Sequence, residues 1–252
     1  MALFKSLKFA AGIVTALLVC STAQAAITTT DWYFGNNAPG KNYAGKNSQT
    51  SGSTGNTATA TAWSSFSTSS SATYSRDVLS FWDGGVGVGN SNSPNHAVDN
   101  QYADEFVLLS FDKSVSLTSL QIGWPSNSSS YDTDLTIMAY TGNGGANPNG
   151  KTAAQLSSAG WEHVNDLFNI NRNVDTTISN PNDVSSNYWL VGAYNEYLSP
   201  NGSTYRGAKD FFKLKAIAGV SHTPSTGVPL PTTAALFGLG LLALGRKKIQ
   251  LK

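Results

Sequence analysis

Thr57-Ala58-Thr59-Ala60-Thr61-Ala62-Trp63 alternates with a strict period of two. In an extended chain that period sends threonine to one face and alanine to the other, and β-branched threonine favours the strand. The same pattern recurs in both directions. Upstream, Thr28-Thr29-Thr30-Asp31-Trp32-Tyr33-Phe34 reads as a first strand, and Gly35 to Gly55 as a long Asn/Gly/Ser loop. Downstream, strands are predicted at Val78–Trp82, Val107–Phe111, Val115–Trp124, Leu135–Tyr140, Tyr188–Tyr194 and Asp210–Ile217, with one more inside Trp161–Ile170. Thr118-Ser119 marks an irregularity within Val115–Trp124. Asn180-Pro181-Asn182-Asp183 marks a turn. Thr152-Ala153-Ala154-Gln155 has the capping-box pattern of a short helix ending near Gly160. Short strands with Gly- and Asn-rich connections and one minor helix predict an all-β fold. The expected form is a single β-sandwich, jelly-roll or galactose-binding-like. No repeat at a fixed period is evident.

The two ends of the chain are of another kind. Lys5 and Lys8 precede an apolar run, Phe9 to Val19, and Ala23-Gln24-Ala25 is a small-x-small site. Residues 1–25 are therefore expected to be a signal peptide cut after Ala25. Cys20, the single cysteine, leaves with it. A lipoprotein reading, with Cys20 as first residue, fits less well because Val19 stands where a small residue is expected. The region that follows has no thiol for a disulfide, so its stability must come from a core. Two basic residues lie in the leader and four in the tail. Ten remain against all fifteen acidic residues, a balance of −5. Such a surface does not attract nucleic acid.

At the other end Val228-Pro229-Leu230-Pro231 is followed by an uncharged apolar run over 232–245 and then by Arg246-Lys247-Lys248. The prolines impose an extended backbone. Fourteen helical residues at ~1.5 Å each reach ~21 Å, short of the ~30 Å hydrocarbon core, so the run is a marginal span. The basic cluster is expected to stay cytoplasmic, which places everything before it outside. This three-part tail resembles the PEP-CTERM sorting domain of exosortase-dependent surface proteins, with Leu230 where that motif carries an acidic residue. The alternative is an ordinary anchor that is never cut. Several internal pieces resemble the ectodomains of one group of these proteins. They are His96-Ala97-Val98-Asp99-Asn100, Val107–Phe111, Ala139-Tyr140-Thr141-Gly142, Ser158–Trp161, Tyr188–Asn195 and Phe211–Leu214. The resemblance implies export by the secretion translocon, removal of the leader by signal peptidase, and recognition by an exosortase-type membrane transpeptidase. It places the chain at the cell surface or in the extracellular matrix of a Gram-negative bacterium, in contact with exopolysaccharide. It implies no enzymatic activity. The expected organisation is 1–25 leader, 26–219 β-domain, 220–227 Ser/Thr/Pro linker and 228–252 sorting signal.

Chemistry-bearing residues are few. Asp99, Asn100, Asp104, Glu105, Asp132 and Asp134 offer hard oxygen ligands of the kind calcium takes, but their spacing matches no EF-hand loop. The competing reading is turn chemistry, with Asp and Asn capping backbone groups. Asp132 and Asp134, two apart, share one face of an extended segment. Val86-Gly87-Val88-Gly89 opens no helix and carries no Lys-Ser/Thr, so it is no phosphate loop. Its glycines are expected to allow close packing or bulges. Ser64 to Ser75 reads as a polar edge strand and loop, or as an O-glycosylated face. His96 and His163 lack metal-ligand spacing, and no Ser/His/Asp constellation is visible. His222 is expected in the linker. Three functions stay open. The first is an exported structural or adhesive surface protein. The second is a carbohydrate-binding module, in which one or more of the six tryptophans stacks on sugar. The third, a glycosidase, needs two carboxylates across a cleft.

Overall fold

One strand of twenty residues, β8 (Glu105–Trp124), runs through the whole architecture. The computed structural model describes residues 27–36, 48–51, 55–89, 96–200 and 209–222. All of these belong to the unit Ala26–Pro224. The second unit, Met1–Ala25 with Ser225–Lys252, lies outside them, and with it the leader, Val228–Pro231, the apolar run and Arg246–Lys248. Among the described residues no helix is long and apolar enough to cross a membrane.

The other elements are β1 (Ile27–Tyr33), β2 (Ser48–Ser51), β3 (Ala58–Ser64), β4 (Ser75–Asp77), β5 (Leu79–Trp82), β6 (Gly85–Val88), β7 (Val98–Asp99), β9 (Leu135–Tyr140), α1 (Ala153–Ser158), β10 (Trp161–Leu167), β11 (Thr176–Thr177), β12 (Ser186–Ala193) and β13 (Phe211–His222). The fold is all-β with one short helix. Residues 105–111 of β8 lie between β3 and β12, and β9 and β10 continue the sheet beyond β12. Residues 115–124 lie between β13 and β11, and β1 flanks the far side of β13. These ladders are antiparallel.

Val107–Phe111 and Val115–Trp124, expected as two strands, are thus one. The joint explains why. Opposite β12, Ser110 pairs with Tyr188 and Val115 with Ser186, so residues 111–114 face a single residue, Asn187. Asp112 and Lys113 are exposed there. Side chains replace the missing ladder bonds. The Asn56 amide accepts from Lys113 N (3.0 Å) and donates to Lys113 O (3.3 Å) and Ser221 Oγ (2.8 Å). Asn187 Nδ2 donates to Phe111 O, and Trp189 Nε1 to Val115 O. Giving these backbone groups partners lets the strand turn a corner without ending.

Side chains from both halves meet in one core: Ala58, Val107, Ile137 and Trp189 from the first, Trp32, Leu120, Ile122 and Ile217 from the second. Trp32 packs edge-on against Phe111 across it, at 4.9 Å and 74°. The opposite face of the first half is buried as well. There Trp63, Phe106, Leu108 and Met138 lie beneath Tyr74, Leu156 of α1 and Leu198. The alternation of β3 therefore does not separate buried from exposed, because both faces are covered. α1 starts as expected: Thr152 accepts from Gln155 N, and the Gln155 side chain accepts from Thr152 N.

Other expectations shift. β2 lies inside the segment read as loop and pairs with β3. β11 carries no strand signal in sequence, yet it pairs with Leu120 and Ser119. β13 continues beyond Gly219 to His222, pairing with β1 as far as Ile27, so residues 220–222 are strand where a linker was expected. The irregularity at Thr118 is present: Ala218 faces Ser119 and Gly219 faces Leu117, leaving Thr118 unopposed. The glycines at 85 and 87 mark close approaches. A Cβ on Gly85 would run into the Leu214 carbonyl, and one on Gly87 into the His96 carbonyl.

Candidate functional site

The six candidate ligands fall into two groups. Asp132 and Asp134, in the segment before β9, meet Asp210, which immediately precedes β13. Their carboxylate oxygens lie within 4.8 Å of one another. Asp134 and Asp210 are buried and Asp132 is half-buried. Asn100 completes this group. Its Nδ2 donates to Asp210 Oδ2 (2.6 Å) and to Tyr194 O (2.9 Å), while its Oδ1 accepts from Asp210 N (2.8 Å). Asp210 Oδ1 accepts from Asp134 N (3.1 Å), and Asp134 Oδ1 from Asn169 N (2.7 Å). Asp132 Oδ1 accepts from Thr133 N (2.9 Å), and Asp132 O from Phe211 N (3.1 Å). Five segments distant in sequence are tied at this point.

Among the described residues, no lysine or arginine forms an ion pair with the three carboxylates. Burial and the neighbouring Asp134 charge push the Asp210 carboxyl up to about 8, against the opposing pull of the Asp134 amide and Asn100. Burial likewise raises Asp134 to about 6, with the Asn169 amide opposing and Asp132 adding. Excess negative charge in a small volume is relieved by a proton or by a cation. Asp132, Asp134 and Asp210, with the Asn100 amide beside them, are the residues that could hold a hard divalent ion.

Asp99, Asp104 and Glu105 form a different arrangement. Asp99 N donates to Glu105 Oε2 (3.1 Å), and Gln101 N to Asp99 Oδ1 (2.9 Å). Burial, then the charges of Asp99, Asp77 and Asp104, push Glu105 up to about 10. Burial raises Asp99 and Asp104 to about 6 each. Glu105 is a protonated carboxyl at neutral pH. The structure therefore does not unite all six residues, because Asn100 turns toward Asp210 while Asp99 turns toward Glu105. Asp210 was not among the sequence candidates. Only a contact across 110 residues reveals it, and it opens a strand without any local signal.

Two of the three in the first group are less than 10% exposed, and all three accept from backbone amides. His163, Asp166 and Ser199 do come together, a constellation the sequence spacing hides. His163 Nε2 lies 3.0 Å from Asp166 Oδ1, and Ser199 Oγ donates to Asp166 Oδ2 (2.6 Å). Burial alone would raise Asp166, but His163 and Ser199 outweigh it and hold the carboxyl below its usual range. The carboxylate is central here, whereas activating a serine requires the imidazole in the middle. The cluster is a buried strut.

Of the tryptophans, 32, 63, 161 and 189 are buried. Trp82 is 40% exposed, but it stacks on His96 at 4.8 Å and 18° and carries Lys213 Nζ 5.3 Å from its ring. Lys213 Nζ also sits 4.2 Å over Trp124, and burial pushes this amine down to about 8. Ser64 and Ser65, at the start of the serine-rich stretch, are buried, whereas Thr68 to Ser71 are exposed. No family model, curated protein or solved structure matches the chain.

Proposed function

We propose that the chain is an exported surface protein with a structural or adhesive role, and that its tail is a substrate for an exosortase-type sorting enzyme. One observation carries the reading from the sequence into three dimensions: Ile27 pairs with His222. The first and last described strands of the β-domain therefore begin and end side by side. The finer architecture proposed is a single β-sandwich. Its support is the common core between the two halves of β8.

In this reading the protein is a substrate and not an enzyme. The acidic group at Asp132, Asp134 and Asp210 fastens the fold and does no chemistry. Arg246, Lys247 and Lys248 orient the tail, and Val228-Pro229-Leu230-Pro231 presents an extended, readable cut region. The test is intact-mass analysis of the protein from its native host. The expected species begins at Ala26 and ends near residue 231. Neutralising Arg246, Lys247 and Lys248 is expected to disturb both retention and processing. A full-length, uncut polypeptide in the cytosol would overturn the proposal.

A further inference from the structure

Two basic side chains share the indole of Trp82 at the end of β5. The His96 ring stacks on it at 4.8 Å and 18°, and the Lys213 ammonium lies 5.3 Å from its centre. Lys213 Nζ also sits 4.2 Å over Trp124, which Tyr131 meets edge-on at 5.2 Å. β5, β8 and β13 thus converge on one cation, and His96 joins them from the segment before β7. Among the described residues no carboxylate forms an ion pair with either basic group. Asp83, next to Trp82, is exposed in the turn, and Asp99 accepts from Gln101 N.

The backbone of His96 is fixed. Its carbonyl accepts from Ser80 Oγ (3.1 Å) and stands where a Cβ on Gly87 would go. Its φ of 56° is in the left-handed region, which few residues with a side chain adopt. The next residue, Ala97, is fully buried, and its carbonyl accepts from Val88 N (3.1 Å). The side chain is held less firmly. His96 is half-buried, and its Nδ1 is buried without a hydrogen bond among the described residues. A proton on this ring is poorly received. It places a charge in a partly dry position, beside an ammonium, and gives Nδ1 a buried N–H with no acceptor.

We propose that His96 is an acid-released cap on Trp82: protonation drives the imidazole off the indole into water, and loss of the proton brings it back. The direction follows from linkage. Burial, then the Lys213 charge, hold the stacked imidazole below its usual value, and a hydrogen bond with the Gly89 backbone opposes them. Burial pushes Lys213 down to about 8, so this amine is already charged when His96 titrates. The stacked arrangement therefore binds fewer protons than the released one. Its stability is complete above about pH 6.5 and is lost as pH falls through the lowered value. Each unit of lowering is a roughly tenfold preference of the protonated ring for the released position. Only one ring has to turn. β5 stays in place, because Leu79 is buried and Trp82 O accepts from Asn36 N (3.0 Å). The device does not depend on how the termini are processed.

The experiment follows imidazole and indole signals of the full-length chain by NMR from about pH 8 to about pH 4. The His96 and Trp82 signals are those that His96→Phe and Trp82→Phe remove. The expected result is a His96 midpoint below about 6.5, with the Trp82 indole signal changing at the same midpoint. Asp99 and Asp104 titrate near 6 as well, so a charge variant isolates the cause. Lys213→Met keeps a long side chain and removes the charge, and is expected to raise the His96 midpoint by about half a unit or more. Lys151→Met, at a lysine bonded to Asn147 O, leaves it unchanged. His96→Phe, a cap that takes no proton, is expected to hold the Trp82 signal constant through the same range. Unaltered thermal transitions show that the variants fold. In wild type, a His96 midpoint at or above about 6.5, or a Trp82 signal that does not move with it, overturns the inference whatever the variants do. So does an unchanged His96 midpoint in folded Lys213→Met.

Discussion

The two acidic groups touch only at Asp99-Asn100, and burial raises a carboxyl in each, to about 8 at Asp210 and about 10 at Glu105, yet they differ in how their oxygens are held. Around Asp210 the carboxylates accept from backbone amides and the Asn100 side chain, and the two Asp210 oxygens and Asp134 Oδ1 draw on three different segments. Around Glu105 the answer is a retained proton. The first group holds the fold together by what it accepts. The second is tolerated because one member stays neutral. Composition alone treats all these residues as equivalent ligands; geometry separates a fastening from a liability.

The largest expected effect breaks the fastening. Asp210→Ala leaves Asp134 N without its acceptor in a buried place and takes one of two acceptors from Asn100 Nδ2, and should cost about 2–4 kcal/mol in chemical denaturation. Glu105→Gln, an equally drastic change of formal charge, should cost little. If the two variants melt alike, the distinction fails.

A divalent cation sharpens the comparison next. If the Asp132, Asp134 and Asp210 oxygens take calcium, an excess of about 100 times Kd stabilises the chain by ~2.7 kcal/mol. Wild type and Glu105→Gln should then melt higher in calcium than in chelator, and Asp134→Asn should not. One identical transition with and without chelator would remove the cation.

The pH dependence comes third, and its sign follows from the raised carboxyls. Folded Glu105 keeps a proton to about pH 10 and folded Asp210 to about 8, whereas the unfolded chain releases both near 4. The folded state thus binds more protons across that window. Stability contributed by these groups is complete below pH ~4 and falls as pH rises. Calcium-free protein should unfold at lower denaturant at pH 9 than at pH 6, and Glu105→Gln should flatten the slope. An opposite slope that Glu105→Gln does not alter would refute the retained proton. The smallest effect belongs to Asp99→Asn. It keeps an acceptor for Gln101 N and removes one charge from beside Glu105, so it should change stability by under ~1 kcal/mol. Asp99→Asn should also lower the pH at which Glu105 titrates, as carboxyl-carbon NMR would report.

Local pattern made most of the strands legible. Leu135–Tyr140 coincides with β9, Thr152 caps α1, and the slip at Thr118 is visible in the sequence. What it hid was non-local. The continuity of β8 depends on Asn56 and Asn187, far away in the chain. β11 exists because Leu120 and Ser119 offer an edge, and two threonines alone specify nothing. The six candidate ligands were recognisable by residue type, without any means of knowing that Asn100, Asp132 and Asp134 belonged with Asp210.

The pairing of Ile27 with His222 also sets how the domain carries mechanical load. Tension drawn between the two chain ends would open β1 from β13 like a zipper, rupturing one pair after another.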